Sequence, residues 1–139
     1  VKMQEAASMH IPAVTPQTVD ALQTFAKTIY LSQTCQKKDG QTTWFLNLED
    51  AFAAFQQDPG PREWRTHFHV PVFLDDLGGA FGTTRFALEQ ALAVHKQTPL
   101  STHLEIETYT WDVLPDHLKT GDIVDYVTRE LEWVKGQLT

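Results

Sequence analysis

The stretch Arg65-Thr66-His67-Phe68-His69-Val70-Pro71-Val72 predicts a β-strand whose two faces differ in chemistry. Side chains alternate between the faces of a strand, so the arginine and both histidines share one face, and the apolar residues share the other. A second stretch, Thr102-His103-Leu104-Glu105-Ile106-Glu107-Thr108-Tyr109, repeats the alternation with acidic residues. If the two strands lie side by side, imidazoles and carboxylates share one surface. That combination suits a divalent cation or acid–base catalysis.

Composition limits the class of protein. A chain of 139 residues is long enough for one domain with a real core. Its net charge of −7 argues against partners such as nucleic acid or an anionic membrane, which favour an excess of Lys and Arg. The one cysteine, Cys35, cannot form an internal disulfide, and no long apolar run predicts a membrane span. Nothing here requires an oxidising compartment, so we expect a cytoplasmic protein, and the net charge says little about small ligands.

Strand-like and helix-like segments alternate along the chain. Strands are expected at 1–7, 63–73 and 102–110, with helices after Thr15, Asn47, Thr83 or Thr84, and Thr120 or Asp122. Residues 30–46 contain the turn signal Asp39-Gly40, which leaves open a hairpin or a barrel strand. Strands separated by helices predict parallel βαβ crossovers.

The polar faces of these strands favour a closed barrel. An open doubly wound sheet would bury Glu105 and Glu107 under a layer of helices, which is costly for unpaired ions. The predicted fold is therefore α/β, with three or four βα units from the C-terminal part of a TIM (β/α)₈ barrel, parallel strands and outer helices. A whole barrel needs about 250 residues. Residues 1–139 are thus expected to be a single domain, either the C-terminal fragment of a larger barrel or a complete small α/β domain.

The start of the chain favours the fragment. It begins at Val1 and enters strand-like sequence at once, so we expect further residues before it. Half a barrel exposes unpaired strand edges, and such edges predict self-association.

Three segments carry a resemblance to a known family. They are His67-Phe68-His69-Val70-Pro71-Val72, Gly82-Thr83-Thr84, and Glu105-Ile106-Glu107-Thr108-Tyr109-Thr110-Trp111, with weaker likeness in Lys2-Met3-Gln4 and Tyr30-Leu31-Ser32-Gln33. Together they resemble the end of a xylose-isomerase-like TIM barrel of the sugar phosphate isomerase/epimerase superfamily. Within it, they are similar to the EboE-type metabolite traffic proteins.

The resemblance implies a site for one divalent metal, Mn²⁺, Mg²⁺ or Zn²⁺, at the barrel mouth. His69 and Glu107 match two of its ligands, and Glu107 also matches the catalytic acid/base. His67, Glu105 and Arg65 are expected to support them from deeper positions. Tyr109 and Trp111 are candidate contacts with a sugar ring. Gly82 belongs to a glycine-containing loop before a helix, where backbone N–H groups can hold an anion.

Two functions remain open at this point. One is a metal-dependent isomerase or epimerase acting on a sugar-like, hydroxylated or carbonyl-bearing small molecule. The other is a non-catalytic protein that binds or transports a metabolite on the same scaffold. Asp75 and Asp76 stand where the epimerases often hold a substrate-binding arginine, and this favours the second function. The pairing of His69 with Glu107 favours the first.

Overall fold

The computed structural model describes residues 2–5, 7–26, 31–106, 111, 116, 119 and 121–139. Strands and helices follow one another within these residues. Their order is β1 (Lys2–Glu5), β2 (Ala7–Ile11), α1 (Pro16–Ala26), β3 (Thr34–Lys38), β4 (Gln41–Phe45), α2 (Leu48–Gln57), β5 (Glu63–Val70), β6 (Asp76–Gly78), β7 (Phe81–Thr83), α3 (Arg85–Gln97), β8 (His103–Ile106) and α4 (Ile123–Leu138).

The strands form two separate sheets. Six strands lie in the order β4-β3-β5-β2-β7-β6, and β1 pairs with β8 in parallel. The pairs β3–β4, β3–β5 and β6–β7 are antiparallel. The predicted TIM barrel with parallel strands is therefore wrong, because the main sheet is mostly antiparallel and β5 and β8 belong to different sheets. The assignment to xylose-isomerase-like barrels falls with it.

The connection between β3 and β4 shows why the barrel prediction failed. Asp39 and Gly40 both have positive φ, 50° and 76°, in a two-residue turn that returns the chain antiparallel to itself. The hairpin is thus the correct choice for this region. After α2, the chain adds β5 on the far side of β3. A helix between consecutive strands therefore does not make them parallel neighbours here.

Backbone contacts divide the chain into two compact units. The sheet unit comprises Ser8–Phe68 and Asp76–Gly82, and the helical unit comprises Val1–Ala7, His69–Asp75 and Thr83–Thr139.

Two amphipathic helices supply most of the sheet unit's core. The buried side chains include Val19 and Leu22 of α1 and Leu48, Phe52 and Phe55 of α2. The Trp64 side chain is fully buried, and its ring centroid lies 6.0 Å from that of Phe52 and 6.2 Å from that of Phe55. At the start of α2, the Asn47 side chain accepts a hydrogen bond from Asp50 N, which confirms the predicted N-cap.

Buried polar groups of the sheet unit are satisfied by one another. Gln36 Oε1 accepts hydrogen bonds from Trp64 Nε1 and from Arg62 Nη1, and both donor–acceptor distances are 3.0 Å. The Arg62 guanidinium also donates to the carbonyls of Asp58 and Gly60. Since a buried donor or acceptor left unpaired costs about 1–3 kcal/mol, these contacts hold β3 and β5 in one register.

The helical unit packs around aromatic side chains of α4 and the segment before it. The Tyr126 ring makes edge contacts with Phe73 and Trp111, at centroid distances of 5.8 and 4.9 Å. Leu88 and Leu92 of α3 are buried as well. Asp122 caps α4, because its side chain accepts hydrogen bonds from Val124 N and Asp125 N. The sequence had offered Thr120 or Asp122 as the first residue of this helix, and Asp122 is confirmed as its N-cap.

Replacing Trp64 by alanine is expected to destabilise the protein by about 3–5 kcal/mol, because it opens a cavity and leaves Gln36 with one donor fewer. The matched change Trp44→Ala should stay within about 0.5 kcal/mol of wild type, since 73% of Trp44 is exposed. Urea denaturation followed by far-ultraviolet circular dichroism measures both. Equal losses of stability in the two variants would contradict the burial of Trp64.

Candidate functional site

Three neighbouring strands of the sheet unit present polar side chains on one face. Residues directly opposite in an antiparallel pair share a face. Cys35 lies opposite Trp44 on β4 and opposite Arg65 on β5, so these three form one row across the sheet. Lys37 lies in the next row, opposite Thr42 and Glu63. We call these six residues the open face: Trp44, Cys35, Arg65, Thr42, Lys37 and Glu63.

The open face contrasts with the other side of the same strands. Thr34, Gln36, Trp64 and Thr66 alternate with it and are buried, and Thr34 Oγ1 lies 3.1 Å from Thr66 Oγ1. Trp44 is the most exposed large apolar residue in the described part of the chain, at 73%. The Arg65 side chain is 45% exposed. One face therefore forms the core, and the other offers an aromatic ring and a guanidinium to solvent.

A small ion-pair network orients Arg65. Glu63 Oε1 lies 2.9 Å from Arg65 Nε and 3.0 Å from His10 Nε2. Partial burial acts to raise the pKa of Glu63, but its hydrogen bond with Arg65, the charge of Arg65 and the contact with His10 leave that pKa below its ordinary value. Glu63 is therefore a carboxylate at neutral pH and holds the guanidinium against the sheet.

The charge of the open face differs in sign from that of the whole chain. Lys37 and Arg65 contribute two positive charges and Glu63 one negative charge, so the face carries +1. The chain as a whole carries −7. A locally positive surface on an acidic protein is suited to a small anion, which the guanidinium can bind through paired N–H donors.

The structure describes four of the residues that the sequence predicted as a metal site and its support, Arg65, His67, His69 and Glu105. Arg65 and His67 are exposed on β5, whereas His69, half-buried, belongs to the helical unit. Glu105 is exposed on β8, whose partner is β1. Glu107 and Tyr109 lie outside the described residues. Because β5 is flanked by β3 and β2, it is not the neighbour of β8 that the metal hypothesis required.

The remaining predicted positions also have local structural roles. Trp111 packs on Tyr126 in the helical unit. Gly82 lies in β7, and Gly78 and Gly79, both with positive φ, belong to the hairpin between β6 and β7. Within the ranges that the structure describes, no group of three or more His, Cys, Asp or Glu side chains is arranged to hold a metal ion. The roles that the sequence assigned to these residues, as metal ligands, catalytic group or substrate contacts, stay predictions.

Sequence reasoning missed most of the open face. Of its six residues, the sequence singled out Arg65 alone as a candidate site residue. The signal was nevertheless present in the turn. If Asp39-Gly40 closes a two-residue hairpin, Lys38 faces Gln41, and counting backward places Cys35 opposite Trp44.

Comparisons with known proteins identify no relative. No protein-family model matches the chain, and searches of curated proteins and of solved structures find no match either. The expected EboE-type relationship thus has no support from them. The helices that the structure describes include none long and apolar enough to cross a membrane.

Glu63→Gln should remove part of the acid sensitivity of the protein. A carboxylate whose pKa is lowered by folding adds stability above its ordinary pKa of 4.5 and loses it as the pH falls through the lower folded value. Wild type should therefore lose more stability than Glu63→Gln between neutral pH and the acid range below 4.5. Urea midpoints across this range measure the difference. Parallel pH profiles of the two proteins would contradict the role of Glu63.

Proposed function

We propose that the chain binds a small, anionic, hydroxylated metabolite on the open face of the sheet unit. The observation that supports this proposal is the row Trp44–Cys35–Arg65, fixed by two antiparallel registers. It combines an exposed aromatic ring and a partly exposed guanidinium on one face of the sheet. These are the two groups that a ring-shaped anionic ligand uses most readily.

The spacing within the row fits a ligand of one ring. Adjacent strands lie about 4.8 Å apart, so the backbones of Trp44 and Arg65 are separated by about 10 Å across β3. Cys35, a short side chain, stands between them and leaves room above the middle strand. A sugar acid or sugar phosphate can place the apolar side of its ring on the Trp44 indole and its anionic group on the Arg65 guanidinium.

Binding without chemistry is the function that the described residues favour. The open face offers a ligand an exposed aromatic ring and a partly exposed guanidinium, and these are groups for binding. Ligand binding on an exposed sheet surface corresponds to the non-catalytic alternative drawn from the sequence. The scaffold is a mostly antiparallel sheet and not a barrel. Residence in the cytoplasm stays a prediction from the sequence.

Chemical-shift titration of the ¹⁵N-labelled chain tests the proposal, with D-glucuronate and D-glucose 6-phosphate as anionic probes and D-glucose as the neutral match. Both anions should shift the Trp44 indole N–H and the amides of residues 35 and 65, and D-glucose should bind at least tenfold more weakly. Arg65→Gln should lower the affinity for both anions about tenfold or more, because charge-assisted hydrogen bonds contribute about 1.5–3 kcal/mol.

Lys96→Gln is the matched control, since it removes one positive charge from an exposed position on α3 and leaves the open face intact. It should bind the anions as wild type does. Trp44→Ala should weaken all three ligands alike, because stacking does not depend on the charge. The proposal is wrong if no probe shifts residues of the open face, or if Lys96→Gln and Arg65→Gln weaken the anions equally.

A further inference from the structure

A buried carboxyl group in the helical unit has only half of its hydrogen-bonding capacity used. Glu130 of α4 is 2% exposed. Its Oε1 accepts a hydrogen bond from Val72 N at a distance of 3.2 Å. This bond joins α4 to the segment that follows β5. Its Oε2 is buried and has no hydrogen-bond partner among the described residues. A neutral carboxyl group tolerates such a place far better than a carboxylate does.

Among the described residues, no cation contributes to the pKa of this carboxyl group or donates a hydrogen bond to its Oε2. On the segment before α3, the unit's titratable residues are His69 and Asp75. On α3, the Arg85 guanidinium donates to Glu89 Oε1 and to the Phe73 carbonyl and lies over the Trp133 ring. His95, also on α3, accepts a hydrogen bond from Leu100 N.

The described neighbours of Glu130 on α4 also donate no hydrogen bond to its Oε2. The Arg129 guanidinium lies 4.0 Å above the centroid of the Phe73 ring. Tyr126, one turn earlier, is buried, and the pKa of its phenol is raised by burial and by the charge of Glu130. Asp125 and Glu132 are exposed to solvent. Burial raises the pKa of Glu130 to about 7, and the hydrogen bond from Val72 offsets only part of that effect.

We propose that Glu130 and Val72 form a proton-dependent latch that holds α4 against residues 71–73. When the carboxyl group is protonated, it remains buried and the latch is closed. When it ionises, the carboxylate must gain solvent or donors, and α4 loosens from the segment. The latch is separate from the open face, which belongs to the sheet unit, so either inference can fail without the other.

The sign of the pH effect follows from the direction of the shift. A carboxyl group whose pKa is higher in the folded state than its ordinary 4.5 favours the folded state most strongly below that value. Its contribution is lost as the pH rises from 4.5 to about 7 and is absent above this range. The latch should therefore be closed in mild acid and loosened above neutral pH.

Hydrogen exchange of α4 at pH 5.5 and pH 8 tests the latch, after correction for the intrinsic exchange rate. In wild type, the protection of α4 should fall about 30-fold between these pH values, since each unit of pKa difference changes the equilibrium tenfold and a carboxyl group of pKa 4.5 is already mostly ionised in the opened helix at pH 5.5. Helix α2 serves as the internal reference and should change little. In Glu130→Gln, which keeps an acceptor for Val72 N and cannot ionise, α4 should be equally protected at both pH values.

Glu132→Gln is the control for charge alone, because it alters an exposed residue two positions away on the same helix. It should lose protection with pH as wild type does. If Glu130→Gln does not fold, ¹³C titration of the Glu130 side-chain carboxyl in wild type decides the matter. A midpoint near neutral pH, together with a change in α4 amide signals over the same range, supports the latch. A midpoint near 4.5, or α4 protection independent of pH, overturns it.

Discussion

The pairing of β3 with β5 depends on one buried amide. Gln36 Oε1 accepts from the indole of Trp64 and from the guanidinium of Arg62, and both donors are themselves buried. A slip of one residue would turn Trp64 to the solvent side and leave these groups unpaired in the core, at a cost of about 1–3 kcal/mol for each. The register in which Gln36 lies opposite Trp64 is therefore strongly favoured.

That register also determines what lies on the other side of the sheet. With Gln36 and Trp64 turned inward, the alternate residues Cys35 and Arg65 must share the outer face. The hairpin adds Trp44 to the same row.

The helical unit offers a contrast, because its buried Glu130 has one satisfied oxygen and one without a partner among the described residues. The hydrogen bonds to Gln36 Oε1 hold the β3–β5 register, whereas the carboxyl group of Glu130, with one oxygen unpartnered among the described residues, remains sensitive to protonation.

Local features were predictable from the sequence, and the topology was not. The Asp39-Gly40 turn, the Asn47 cap and the alternation along β5 each follow from short-range chemistry, and the structure has all three. The direction of pairing depends on contacts between distant residues, such as Gln36 with Trp64, which periodicity does not reveal. The polar face of β5 was recognised correctly. Its neighbours were assigned wrongly, because β8 lies in the other sheet. The roles of Glu107 and Tyr109 lie outside the described residues.

Disulfide formation by Arg65→Cys tests the central claim, the register that places residue 65 opposite Cys35. Opposite residues of an antiparallel pair have Cα atoms about 4.5–5.5 Å apart, within the range of about 4.4–6.8 Å that a disulfide spans. Because Cys35 is the one native cysteine, mass spectrometry after mild oxidation reads the result directly. The account predicts an intramolecular disulfide in Arg65→Cys and none in Thr66→Cys, whose side chain points to the opposite face. A disulfide in Thr66→Cys, or none in Arg65→Cys, would contradict it.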